Sequence, residues 1–82
     1  MNKKEIKTIQ TEVKNLDASI KNMNERFNLI VGKRDAGTMT AEKANARLDD
    51  LEQKITVLDW QRATTLSVGE MLGISYHDLI SG

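Results

Sequence analysis

The residues that could carry chemistry in this sequence are few, and their spacing is unsuited to it. His77 is the one histidine, and among ligating groups only Asp78 lies beside it. A metal site needs several converging ligands, and an imidazole that acts as an acid or base needs a group that orients it. We therefore expect His77 to lie at the surface or to pack within the C-terminal tail.

The densest acidic group is Asp49, Asp50 and Glu52. Neighbouring positions on a helix radiate around its axis instead of converging on one ion, so this group favours a solvated face over a cation site. No serine has a general base at a spacing from which a catalytic pair could be inferred. The five glycines are scattered instead of forming a phosphate-binding loop. We expect no enzyme, no metal and no cofactor.

Length and composition narrow the classes further. The chain has 82 residues, no cysteine, no proline and three aromatic residues. This length allows one small domain, taken as residues 1–82, and the lack of cysteine excludes a disulfide framework. The longest apolar run is residues 29–31, which is too short to span a bilayer, and no signal-peptide core follows the N-terminus. We expect a cytoplasmic protein that does not bind membranes.

The elements that must position these residues are predicted from hydrophobic spacing. Apolar residues recur alternately three and four apart along residues 6–30, which is the heptad pattern of a coiled-coil helix, and again along residues 44–58. The pattern predicts a helix over 3–36, a turn over 37–39 and a second helix over 40–72. The two apolar seams consist of Ile6, Ile9, Val13, Leu16, Ile20, Met23, Phe27 and Ile30, and of Ala44, Leu48, Leu51, Ile55 and Leu58.

The predicted turn brings the two seams into register. Folding the chain back about residues 37–38 sets Phe27 opposite Leu48 and Ile20 opposite Ile55, as one antiparallel coiled coil would require. Gly37 suits the left-handed position that ends a helix. The string over residues 35–42 is similar to the turn of short helical-hairpin modules of the SHOCT type, and this resemblance implies a hairpin and no activity.

The zero net charge conceals two halves of opposite sign. Residues 1–34 hold eight basic and four acidic side chains, whereas residues 35–82 hold four basic and eight acidic ones. These halves coincide with the arms of the predicted hairpin, so opposite charge favours their alignment, subject to screening by salt. Arg62 takes a seam position in the second arm, and we expect it beside Glu12 and Val13, where its head can form an ion pair.

A hairpin with one seam leaves much of its surface unburied. Ordering 82 residues costs on the order of 100 kcal/mol of conformational entropy, which a single narrow stripe does not offset. A second apolar stripe follows another face of the second helix, and we expect it to bind a partner. Dimerisation into an antiparallel four-helix bundle would bury it, and a terminal segment folded back over it is the alternative. The stripe consists of Val57, Trp60, Thr64, Val68 and Met71.

The C-terminal segment supports two interpretations. Gly73 ends the second helix, and Ser75 with Asp78 is typical of a capping box for a short helix over 76–80. The string over residues 67–79 also resembles the centre of a helix-turn-helix of the excisionase or MerR type, which implies a DNA-reading element. The sequence departs from that pattern because no basic residue follows Arg62.

The expected function is binding. We expect a small oligomeric adaptor, inhibitor or assembly and regulatory factor that binds another protein, and its size and lack of catalytic groups suggest a phage or mobile element as its source. The alternative is a nucleic-acid-binding transcriptional regulator that uses the basic N-terminal end or the 67–80 element. Duplex-DNA binding that weakens steeply with salt would favour that alternative.

Overall fold

The protein is all-α, which confirms the predicted fold class. A computed structural model describes residues 3–80, and within that range it contains three helices and no strand. Helix α1 spans Lys3–Asp35, α2 spans Ala41–Met71 and α3 spans Tyr76–Ile80. The two long helices lie side by side in a hairpin-like arrangement, and the molecule measures 54 × 17 × 16 Å.

A glycine ends α1 through a specific backbone geometry. Gly37 has a φ of +75°, and its N–H donates to the carbonyl of Arg34 at 3.1 Å. The next N–H, that of Thr38, reaches back to the carbonyl of Lys33 at 3.0 Å. These two bonds form a Schellman motif, which requires a residue that tolerates the left-handed region. The first helix therefore ends one residue before the predicted position 36.

The second helix is capped by specific backbone and side-chain hydrogen bonds at both ends. Thr40 is extended, and its hydroxyl accepts from the N–H of Lys43 at 3.3 Å, which makes it the N-cap of α2. At the other end Gly73 has a φ of +87°, and a second Schellman pair follows. In that pair Gly73 donates to Glu70 at 2.9 Å, and Ile74 donates to Gly69 at 3.0 Å.

The seam residues of both helices face each other and are withdrawn from solvent. Every seam position of α1 is at least partly buried, and Val13 is buried completely. In α2, Ala44, Leu48 and Leu51 are buried, whereas Ile55 and Leu58 keep some exposure. Two helices cover each other from one direction only, so most seam side chains remain open along their flanks.

The most enclosed part of the core lies at the end remote from the turn. Helix α3 folds back there and inserts Leu79, which is 1% exposed, against α2 and α1. The side chain of Gln10 donates to the carbonyl of Asp78 at 2.6 Å and fastens α3 to α1. The terminal segment thus covers the end of the seam instead of the second apolar stripe. This core consists of Val13, Leu66, Ile74 and Leu79, flanked by Ile6 and Ile9.

Gly69 makes this insertion possible. A Cβ atom at residue 69 would lie 2.6 Å from Cδ2 of Leu79, which is closer than carbon atoms approach. The sequence contains no pattern that marks Gly69 as a packing position, because the requirement arises only from a side chain ten residues further along the chain.

The seam can be tested by placing a charge in it. We expect Ile20→Asp to lower the free energy of unfolding by about 2 kcal/mol or more, because a carboxylate would then be held between two apolar surfaces. Urea unfolding followed by circular dichroism measures this change. Asn22→Asp, at an exposed position of the same helix, is the control and should change the stability little. Equal curves for both variants would contradict the seam.

A pair of glycine substitutions tests the packing of α3. Gly69→Ala should displace Leu79 and increase hydrogen exchange at the amides of Ile74 and Leu79, even though alanine favours the helix by about 1 kcal/mol. Gly32→Ala meets no atom within 4 Å and should gain that helix preference alone, seen as a higher melting temperature. Unchanged exchange in the Gly69 variant would show that α3 does not depend on this contact.

Candidate interaction surface

The residues with potential chemistry lie apart in the structure. His77 and the group Asp49, Asp50 and Glu52 are all exposed. Asp50 forms an ion pair with Lys54 one turn along the same helix at 2.9 Å. Within residues 3–80 no three histidine or carboxylate side chains are placed to hold a metal ion together.

The five residues predicted to bind a partner are all exposed. Trp60 is 69% accessible and Met71 is 84% accessible, and Val57 and Val68 are about half accessible. Thr64 is exposed as well, and its hydroxyl donates to the carbonyl of Trp60 at 2.9 Å. This side-chain donor already has an acceptor within its own helix, so a partner could cover it without leaving that donor unpaired.

These five residues share one side of α2. Successive residues of a helix are rotated by about 100°, which places positions 57, 60, 64, 68 and 71 on the side remote from the seam. The seam residues of the same stretch, Leu58 and Leu66, face α1 and the core. We call the set Val57, Trp60, Thr64, Val68 and Met71 the α2 stripe.

Two grooves connect the α2 stripe with α1. Val57 lines one of them together with Met23 of α1. Trp60 and Thr64 line the next groove, whose opposite wall contains Leu16. Gln61 belongs to both grooves, so they form one depression between the long helices.

The depression continues toward the turn. Asp50 joins it to a third groove, in which Leu29 is 60% exposed. Three cationic side chains border this groove, those of Arg26, Lys33 and Arg47. We call the side of the molecule that carries these grooves the grooved face. Sequence reasoning missed the contribution of α1 to it.

Polar links between the helices are found on the opposite side. Arg62 forms an ion pair with Asp17, five residues along α1 from the expected Glu12. This hydrogen bond raises the pKa of Arg62, burial opposes the effect, and a further hydrogen bond with Tyr76 adds to it. The guanidinium therefore stays charged at any ordinary pH and joins all three helices.

A second link stabilises the end near the turn. Nη1 of Arg34 donates to Oδ1 of Asn45 at 2.9 Å. Arg34 lies seven residues after the seam residue Phe27, so it reaches Asn45 from a position in line with the seam. Gln10, the residue that holds α3, lies seven residues before Asp17 and therefore shares one flank of α1 with it. That flank is therefore already occupied by contacts within the chain, whereas the grooved face is open.

The 67–80 element is compact. Oγ of Ser75 accepts from the N–H of Asp78 at 3.2 Å, so Ser75 caps α3, which has five residues. Leu79 points into the core, and the exposed residues of α3 include no lysine or arginine. A recognition helix presents basic or polar side chains to the phosphates and base edges of DNA, and α3 offers little for such contacts.

Comparison of the chain with protein-family models, with curated proteins and with solved structures finds no match. Along residues 3–80 no helix combines the length and the hydrophobicity needed to cross a bilayer. What the chain does is therefore inferred from its surfaces.

The link between Asp17 and Arg62 can be measured with a double-mutant cycle. Both side chains are partly exposed, so we expect a coupling free energy of at most about 1 kcal/mol between Asp17→Ala and Arg62→Ala. The coupling should shrink in 1 M salt, where the Debye length is about 3 Å. A cycle that pairs Arg62→Ala with Asp49→Ala, an exposed residue of α2 thirteen positions away, should give no coupling. Equal couplings in both cycles would contradict the ion pair.

Proposed function

We propose that this chain is a non-enzymatic protein–protein interaction module, a small oligomeric adaptor, inhibitor or assembly and regulatory factor of the cytoplasm. Its unit is the long antiparallel hairpin, and two hairpins associate into a four-helix bundle. The observation that carries this proposal is the exposed α2 stripe, with Trp60 69% accessible on the side of α2 that faces away from the seam.

The composition of the α2 stripe supports protein binding. Large apolar side chains scattered singly on a surface need no explanation, but a contiguous set along one helix marks an interaction site. Tryptophan and methionine are enriched at protein interfaces, and a central tryptophan is a frequent energetic hot spot. The stripe carries no lysine or arginine, which contacts with a phosphate backbone would require.

The thin core supports self-association. Seam residues such as Leu16, Met23 and Leu58 remain partly accessible because the second helix covers them from one direction. Each of them also lines one of the grooves. A second hairpin laid against this side would complete their burial, and removing apolar surface from water contributes about 25 cal/mol per Å².

The proposal is tested at Trp60. We expect Trp60→Glu to lower the mass in light scattering toward the 9.2 kDa monomer, while far-ultraviolet circular dichroism keeps its helical spectrum. The substitution removes the largest exposed apolar side chain and brings a charge into the interface. The helix itself should persist because Trp60 lies outside the core.

Ala63→Glu is the matched control. Residue 63 is exposed on the same helix but outside the α2 stripe, so the added charge should leave the mass unchanged. Equal masses for the native chain and the Trp60 variant would remove Trp60 from the interface. A native chain that stays monomeric at high micromolar concentration would contradict self-association.

A further inference from the structure

Every seventh residue of α1 from Glu5 onward forms one row along the helix, because seven residues make nearly two full turns. From the N-terminus this row has two carboxylates, a hydroxyl and two cations. Its charge changes sign about the central serine. The row, which we call the α1 charge row, consists of Glu5, Glu12, Ser19, Arg26 and Lys33.

The α1 charge row runs along the grooved face. Arg26 and Lys33 line the groove near the turn, and Glu12 lines the groove that contains Trp60. Glu5 lines a further groove at the remote end. The grooved face therefore has an excess of cations near the turn, and near the other end of α1 it has Glu12 and Glu5 together with Lys4.

The two central charges of the row are available to a partner. Within residues 3–80, neither Arg26 nor Glu12 takes part in an ion pair or a side-chain hydrogen bond. The corresponding positions on the other flank of α1 are engaged within the chain, as Gln10 with α3 and Asp17 with Arg62 show. One flank of α1 thus holds the chain together, and the other presents charge outward.

A sequence of charges that reverses sign about its midpoint is complementary to its own copy in the antiparallel direction. We propose that the grooved face binds a second copy of this chain with the two turns at opposite ends, so that Arg26 of each copy pairs with Glu12 of the other. This proposal rests on the self-association proposed above and adds its face and its orientation. The pair of Arg26 with Glu12 occurs twice because a twofold interface is isologous.

The apolar side chains of the grooved face fit the same arrangement. The twofold axis passes near Ser19, halfway between Glu12 and Arg26. Val57 and Trp60 line the two grooves on either side of that level, so they lie close to the axis and form the centre of the interface. Apolar side chains at the centre with charged pairs toward the rim are the usual anatomy of a stable interface.

The size of the face can be compared with that of known interfaces. A side of the molecule 54 Å long and 17 Å wide has a projected area of roughly 900 Å². A standard interface buries about 800 Å² per partner, so the proposed dimer needs contact along nearly the whole length of this face.

The opposite orientation is disfavoured by charge. If both turns lay at the same end, Arg26, Lys33 and Arg47 of the two copies would gather there. Six cations and only two carboxylates, those of Asp50, would then share one end of the interface, and an excess of like charge costs binding free energy.

Charge reversal tests the pairing. Arg26→Glu should weaken the dimer about tenfold or more, since two attractive pairs become repulsive, and Glu12→Arg should do the same. Mixing the two single variants in equal amounts should restore association as a heterodimer, because each new charge then faces its opposite. Sedimentation velocity measures each dissociation constant. Lys21→Glu, an exposed reversal elsewhere on α1, is the control and should leave the dimer intact.

A distance measurement tests the orientation separately. The native chain has no cysteine, so Ala36→Cys at the exposed turn gives a single attachment site for a spin label. Turns at opposite ends predict a label separation close to the 54 Å length of the hairpin. A separation of less than half that length, measured by double electron–electron resonance, would overturn the proposal.

The outcomes separate this proposal from the one on which it rests. If Trp60→Glu dissociates the oligomer while both charge reversals leave it unchanged, self-association stands and the pairing of Arg26 with Glu12 is wrong. If the mixed variants fail to associate although each single variant is helical and monomeric, the pairing is wrong as well. Restored association of the mixture together with a long label separation supports both the face and the orientation.

Discussion

The structure depends on the fact that two helices have one surface of mutual contact. Seven of the eight seam residues of α1 are covered from the side of α2 but stay partly accessible along their flanks, and only Val13 among them is buried. Helix pairs in general need a further layer to bury an apolar face. The chain supplies such a layer at one end only, where α3 covers Val13 and Leu66. The proposed second copy supplies it along the rest.

The closing of that one end required a glycine. Leu79 reaches the seam because Gly69 has no Cβ atom in its path, and the bond from Gln10 to the carbonyl of Asp78 keeps α3 in place. The two Schellman motifs at Gly37 and Gly73 determine where α1 and α2 stop, and therefore how the next segment leaves each helix. Three of the glycines thus have separate structural functions. The functions of Gly37 and Gly73 depend on hydrogen bonds to residues nearby in the sequence, whereas that of Gly69 depends on a contact between two helices.

This distinction explains how much the sequence could predict. The all-α class, the seams and the stop signals follow from spacing and from the conformational freedom of glycine, and these act within a few residues. Arg62 was expected to pair with Glu12, five residues from its actual partner Asp17, because a long side chain can extend in either direction and only the packed geometry selects one carboxylate. The α1 side of the grooved face was missed for a similar reason. Its residues are charged side chains at surface positions that any helix could have. Only the structure shows that the opposite flank of α1 is the one that binds α2 and α3.

The asymmetry of α1 follows from the same constraint. One flank binds α2 and α3 through Asp17 and Gln10, and the other carries the grooves that face solvent. Since α3 packs at the remote end of the helix pair and Asp17 is paired with Arg62, the proposed second copy is placed against the other flank. That side carries the α1 charge row, whose signs reverse about Ser19. In the proposed antiparallel dimer this order of charges sets Arg26 of each copy against Glu12 of the other. The four charges of the row sum to zero, so two such rows laid antiparallel bring equal numbers of opposite charges together without a net repulsion.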